Sequence, residues 1–183
     1  MKNHLVFSLL ICNLLCAVCA VSQPATQRRT LQAPEEIQSY PCDKGYAWFY
    51  ADGALNRCTL SHESAFGEAL APRQSIIVLT PDGKPQFLLP SHDIWIAGNN
   101  CAGGSWFGPA EGSSAAFYPS GKLKQCFLVH DQDVQGVPCM NGGIFGDGSG
   151  GGVQFHESGK LASCKLSKAF GAKQREERFV QAP

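Results

Sequence analysis

Three imidazole–carboxylate pairs recur at one phase of this 183-residue chain: His62-Glu63, His92-Asp93 and His130-Asp131. Each pair lies nine and ten residues after a glycine, Gly53, Gly83 or Gly121. Imidazole and carboxylate suit a divalent cation, so these six residues are a candidate metal-ligating edge if the units that carry them stack in register. The spacing works against it. Stacked strands hold equivalent atoms about 4.8 Å apart, and hairpins hold them about twice that far, which is too far for one ion to bridge two units. The competing reading is a polar His-acid turn copied along with its repeat.

Other chemistry is weaker still. Asp131-x-Asp133-x-x-Gly136 starts like a calcium loop, but Gln135 and Gly142 stand where further oxygen ligands are needed. The run Gly146-Asp147-Gly148-Ser149-Gly150-Gly151-Gly152 lacks the Lys-Ser/Thr ending of a phosphate loop, and no helical pattern follows it. Beyond the apolar first twenty residues, where Cys16 and Cys19 lie, no C-x-x-C pair marks zinc, and no G-x-S-x-G elbow marks a hydrolase. No cofactor is expected, no residue is assigned as catalytic, and an enzyme would need a site assembled only by the fold.

The elements that position these residues come from a repeat. Segments 101–126 and 139–164 align without a gap at an offset of 38 residues, and both end in F-x-x-S-G-K-L-x-x-C. With Gly53, Gly83, Gly121 and Gly159 as markers the pattern extends to four units, the first shortened; internal periodicity of this size signals stacked supersecondary units. D-G or S-G between alternating apolar flanks predicts a β-hairpin with a type I′ turn. Symmetric pairing about that turn sets Ala115 opposite Cys126 and Phe117 opposite Lys124. One face is then apolar in every copy: Ala47, Phe49, Cys58 and Leu60; Ile77, Leu79, Leu88 and Pro90; Ala115, Phe117, Cys126 and Leu128; Val153, Phe155, Cys164 and Leu166. The opposite face holds Trp48, Tyr50 and Leu55, Val78 and Phe87, Tyr118 and Leu123, and His156 and Leu161. Of these, Tyr50, Tyr118 and His156 are the candidate contact surface. Residues 64–70 are expected to make one turn of helix. The fold class is all-β: a meander or solenoid-like stack of about four antiparallel hairpins.

Residues 1–20 read as a secretory signal peptide, with Lys2 before an apolar run and a small-residue exit at Val18-Cys19-Ala20. Removing it leaves Cys42, Cys58, Cys101, Cys126, Cys139 and Cys164, an even set that points to disulfides in an oxidising compartment. The third and fourth units each carry two cysteines 25 residues apart. In the second unit Leu88 replaces one, and Glu63 stands at the other place. The expected pairs are therefore Cys42–Cys58, Cys101–Cys126 and Cys139–Cys164. Residues 21–41, with Pro24, Pro34 and Pro41, are expected to be a flexible linker, residues 42–170 the repeat domain and residues 171–183 a polar tail.

F-Y-P-S-G-K-L-K-Q and V-Q-F-H-E-S-G-K-L-A-S, within about residues 46–168, resemble the hairpin repeats of bacterial MORN-type proteins, although the cysteines are extra and the Gly-x-Trp lead is irregular. That resemblance implies a single-layer β-meander used for interaction or structure, and no particular activity.

Lys+Arg and Asp+Glu are 15 each, a balance that argues against a nucleic-acid binder relying on a basic field. The functional expectation is an exported, non-enzymatic interaction or structural module, secreted or periplasmic, with no transmembrane segment once the signal is removed. Its partner would be a protein or envelope component. The alternatives are an exported metal- or small-ligand-binding protein using the His-acid pairs, and a hydrolase. A lipid-anchored form is disfavoured because Leu15 and Val18, not small residues, precede Cys16 and Cys19.

Overall fold

A computed structural model of the chain describes residues 26–104, 115–141 and 152–167. All of its regular structure is β. A nine-stranded antiparallel meander joins, side by side, β1 (Thr26–Leu31), β4 (Gly45–Tyr50), β5 (Leu55–Thr59), β8 (Ile76–Leu79), β9 (Pro85–Leu89), β12 (Ala115–Phe117), β13 (Leu123–Phe127), β16 (Gly152–Phe155) and β17 (Leu161–Ser163). Between these long hairpins lie four short two-stranded ribbons: β2 (Glu35–Ile37) with β3 (Tyr40–Cys42), β6 (Ser64–Phe66) with β7 (Ala69–Ala71), β10 (Ile94–Ile96) with β11 (Asn99–Cys101), and β14 (Gln132–Val134) with β15 (Val137–Cys139). The repeat is thus a long hairpin plus a short ribbon. The ribbons form a second layer over one face of the sheet, where the resemblance implied a single layer.

The core lies between the layers. Ala47, Cys58, Ile77, Leu88, Ala115, Cys126 and Val153 come from the sheet, and Phe66, Ala71, Ile96, Val134 and Cys139 come from the ribbons. The three disulfides cross this gap and join the last residue of a ribbon to the sheet side: Cys42–Cys58, Cys101–Cys126 and Cys139–Cys164. These are the pairs the repeat predicts. The unbridged counterpart needs a correction, because the residue at the ribbon end of the second unit is Ala71, not Glu63. Ala71 and Leu88 are both fully buried. Toward β17, among the described residues, the apolar face thins out: Leu166 is exposed and Cys164 half-buried.

The long-hairpin turns differ from expectation. Gly53, Gly83, Gly121 and Gly159 do sit at the tips with φ between 76° and 87°, but the residue before each glycine keeps a negative φ. In all four, the glycine N–H donates to the carbonyl three residues back, as in Gly121 to Tyr118 at 2.8 Å. This is a type I turn closed by a left-handed glycine, which adds a bulge. The extra residue shifts the pairing, so Phe117 faces Leu123 and not Lys124, while Ala116 still faces Gln125. A one-residue shift moves a side chain to the other face. Leu55 and Leu123, assigned to the outer face from symmetric pairing, are therefore in the core.

The mirror-image turns occur in the ribbons. Ala97-Gly98, Gln135-Gly136 and Gln38-Ser39 have positive φ at both central residues, as type I′ requires, and Gly67-Glu68 has it only at the glycine, as in type II′. Residues 64–70, expected to turn once as helix, are mostly the β6–β7 ribbon. Of the expected linker 21–41, the described residues 26–41 form, with Cys42, the strands β1 to β3. β1 escapes sequence patterning because it is an exposed edge strand: only Leu31 of TQRRTL is buried.

Ribbon turns also clamp hairpin tips. Leu55, Leu123 and Leu161, the first residues paired after each bulge, donate their N–H groups to the side chains of Gln38 (3.1 Å), Glu68 (3.0 Å) and Gln135 (2.9 Å). The second hairpin has Pro85 at that place, with no N–H to satisfy. At the Glu68 clamp the backbones nearly touch: a Cβ on Gly67 would lie 2.3 Å from the Gly121 carbonyl oxygen, so only glycine fits.

Candidate interaction face

The ribbons cover one face of the meander, and among the described residues nothing covers the other. Register places one row of residues across all nine strands on that open face: Arg28, Trp48, Arg57, Val78, Phe87, Ala116, Gln125, Gln154 and Ser163. The alternation that buries Ala47, Cys58, Ile77 and Leu88 turns this row outward. A flanking row adds Tyr46, Ile76, Leu89 and Phe127. Tyr46 is 52% exposed and Phe87 39% exposed, and the Val78, Ile76, Leu89 and Phe127 between or beside them are half-buried. The strand positions of this face carry no carboxylate.

Its β1 end is ordered by stacking. The Arg28 guanidinium carbon lies 4.4 Å from the Tyr46 ring centre and that of Arg57 lies 4.4 Å from the Trp48 ring centre, while the two rings meet edge to face at 6.1 Å. Guanidinium over an aromatic face is attractive and holds the fork in place. Neither arginine has an acidic partner: the ion pairs among the described residues are Arg29 with Glu35 and Lys84 with Asp82. Arg57 Nε is buried with no hydrogen-bond acceptor. Beside this cluster a shallow depression of about 450 Å³ runs along β1 and β4, lined by Gln27, Arg28, Arg29, Phe49, Tyr50, Ala51 and Gly53.

The tyrosines proposed as contact residues have another task. Tyr50 is buried and donates its hydroxyl to the Leu79 carbonyl at 2.7 Å; Tyr118 donates to the Phe155 carbonyl at 2.9 Å. Both bonds link one hairpin to the equivalent backbone position of the next, so these side chains lock neighbouring repeats. His156, at the same repeat position in the last hairpin, is exposed.

The His-acid pairs do not assemble into one site. Each sits at the entrance to a ribbon. Asp93 accepts the Gly103 N–H at 3.0 Å, and Asp131 accepts the Asn141 N–H at 2.9 Å, ten residues on in both cases, which closes the base of the ribbon. The second Asp131 oxygen accepts from the Ser167 hydroxyl. These bonds, that of Ser167 first, hold the Asp131 carboxyl below its ordinary value. His62, Glu63, His92 and His130 are exposed, and no group of three metal-capable side chains exists among the described residues. Ser61 and Ser91 lie 3.2 Å from the Nδ1 atoms of His62 and His92, but their hydroxyls donate to the Pro41 and Arg73 carbonyls. Those contacts tie turns together and do not activate a nucleophile.

Trp48 stands half-buried on the open face, where the hairpin register was expected to put it, and Trp95 is 65% exposed on a ribbon. Trp106, Phe107, Phe145, residues 146–151 of the glycine-rich run, residues 1–20, expected to be a signal peptide, and residues 171–183, expected to be a polar tail, lie outside the described residues. Among the described residues no helix is long and apolar enough to cross a membrane. No protein-family model, curated protein or solved structure matches the chain.

Proposed function

We propose that this chain is an exported, non-enzymatic interaction module that holds a protein partner on the open face of its meander. The observation that carries this reading is the row from Arg28 to Phe87, which nothing among the described residues covers, with Phe87 and the neighbouring Tyr46 exposed and Trp48 and Val78 half-buried. A contiguous apolar patch bordered by polar groups marks a contact surface. The rest of the described architecture is given to rigidity: disulfides, ribbon clamps and tyrosine bonds between repeats keep the sheet in one shape, and a preorganised surface loses less entropy on binding. Three disulfides fit a secreted or periplasmic location. We read the hairpins with Gly121-Lys122-Leu123 and Gly159-Lys160-Leu161 at their tips as a disulfide-bearing variant of MORN-type repeats.

The test is capture from an envelope or extracellular extract with three proteins: the wild type, a Tyr46→Glu/Phe87→Glu variant of the open face, and a Trp95→Ser variant of the ribbon layer. Wild type and Trp95→Ser are expected to retain the same partner and the open-face variant to lose it. Equal capture by all three would remove the open face from the function.

A further inference from the structure

We infer that the partner of the open face presents an acidic, apolar protein segment, whose carboxylates pair with Arg28 and Arg57 while its apolar side chains lie over Trp48, Val78 and Phe87. This rests on the preceding reading and specifies its chemistry. Arg28, Trp48 and Arg57 are consecutive members of the cross-strand row on β1, β4 and β5, so the two arginines flank the tryptophan about 9.6 Å apart, twice the strand spacing. Both guanidiniums are stacked on rings, and neither has an intramolecular carboxylate among the described residues. By contrast Arg29, whose strand position turns it to the ribbon side, is paired with Glu35. Two fixed cations with no carboxylate partner among the described residues, on strands whose open-face positions carry no acid, call for anionic groups on the occupant, and a guanidinium fork binds a carboxylate through two hydrogen bonds.

The neighbouring residues choose among anionic polymers. Val78, Ile76 and Leu89 continue the patch, together with Phe87 and Phe127. Nucleotide bases stack on aromatic faces, but the rings of Tyr46 and Trp48 already carry the Arg28 and Arg57 guanidiniums, and the aliphatic Val78, Ile76 and Leu89 offer no stacking platform. They give a hydroxyl-rich sugar chain no hydrogen-bond partner either. They do match leucine, valine or tyrosine side chains of another protein. Acidic residues on the partner would supply steering and register, and apolar burial at the centre would supply the affinity.

The probe is a fluorescently labelled random copolymer of glutamate and tyrosine, followed by anisotropy with the disulfide-intact protein. Saturable binding that weakens with salt is expected. Arg28→Gln and Arg57→Gln should each weaken it about tenfold, the size expected for loss of a charge-assisted hydrogen bond. Arg57→Lys, which keeps the charge and guards against misfolding, should lose less than Arg57→Gln. No binding by the wild type, or binding untouched by either glutamine variant, would overturn the inference. So would equal affinity for polygalacturonate or oligothymidylate, which would assign the face to an acidic polysaccharide or to single-stranded nucleic acid. If the copolymer fails while Tyr46→Glu/Phe87→Glu still loses the natural partner, the open-face reading stands and only its acidic specificity falls.

Discussion

Ala71 and Leu88 occupy in the second unit the places that Cys101 and Cys126 occupy in the third. Each pair joins the end of a ribbon to the core side of the sheet, eighteen residues after a turn glycine for the ribbon member and five for the sheet member. All four residues are essentially buried. At this point the second unit therefore joins its ribbon to the sheet by packing without a covalent link, and the third adds a staple at the same place. The position is a packing site first. The difference teaches that the bridges reinforce an interlayer contact which the fold already makes.

The largest effects should come from opening that contact in each unit. Leu88→Ala is expected to cost about 3 kcal/mol by leaving a cavity. The double change Cys101→Ala/Cys126→Ala is expected to cost about 3 kcal/mol by freeing the unfolded chain. Urea unfolding measures both; reductant should shift the midpoint of Leu88→Ala further and leave the double variant sensitive only through its two remaining bridges. A loss well under 1 kcal/mol for Leu88→Ala would break the equivalence of the two sites.

A sharper form of the comparison converts one unit into the other. Ala71→Cys/Leu88→Cys should form a fourth bridge spontaneously. Its loop is close to the 16 residues closed by Cys42–Cys58, and oxidation should stabilise this variant over its singly reduced form by about 3 kcal/mol. Thiol titration of the oxidised, denatured protein lacking residues 1–20 should find no free cysteine; two free thiols would show that Ala71 and Leu88 do not face each other as the cysteine pairs do.

The units also differ in how they grip the next repeat. Tyr50 and Tyr118 reach a neighbouring carbonyl, whereas Thr80, at the same repeat position, bonds within its own turn to Asp82 and Lys84. Tyr50→Phe should cost about 1–2 kcal/mol because it leaves a buried carbonyl with one donor fewer, and Thr80→Val should cost less. Equal losses by urea unfolding would deny the tyrosines their locking role.

The smallest contrast lies in the ribbon clasps. Asp131 has its carboxyl lowered by the Ser167 hydroxyl and the Asn141 N–H. A folded value below the unfolded one stabilises the protein above about pH 3.9, the unfolded value, and that stabilisation is lost as pH falls further through the folded value. Asp131→Asn should flatten the decline in stability below about pH 4. At neutral pH it should cost under about 1 kcal/mol, since the group is exposed. Unchanged acid sensitivity in the variant would remove Asp131 from the account.

Much of the fold was legible because hairpins are local. Alternation and turn glycines lie within a few residues of one another, and the cysteines follow the same rhythm, so strand order, core face and bridge pairing could be read from Gly53, Gly83, Gly121 and Gly159 outward. The ribbons were less legible. Their strands are three residues long, and three of their turns use left-handed Gln38, Ser39, Ala97 and Gln135, residues that carry no strong turn signal. The repeat did show Gly98 and Gly136 in phase, a cue that two more hairpins were present. The arginine–aromatic stacks had no signal at all, because Arg28 belongs to an edge strand whose polar sequence looks like linker.

Period-two patterning, turn glycines and paired cysteines by themselves determined a stapled stack of antiparallel hairpins, since each of those signals acts over a short stretch of chain. Which face stays open, where the bulges send Leu55 and Leu123, and how Arg28 and Arg57 come to flank Trp48 were decided only by tertiary structure. Those relations depend on strands meeting across the sheet and on ribbons folding back over one side of it, contacts whose geometry no local pattern encodes.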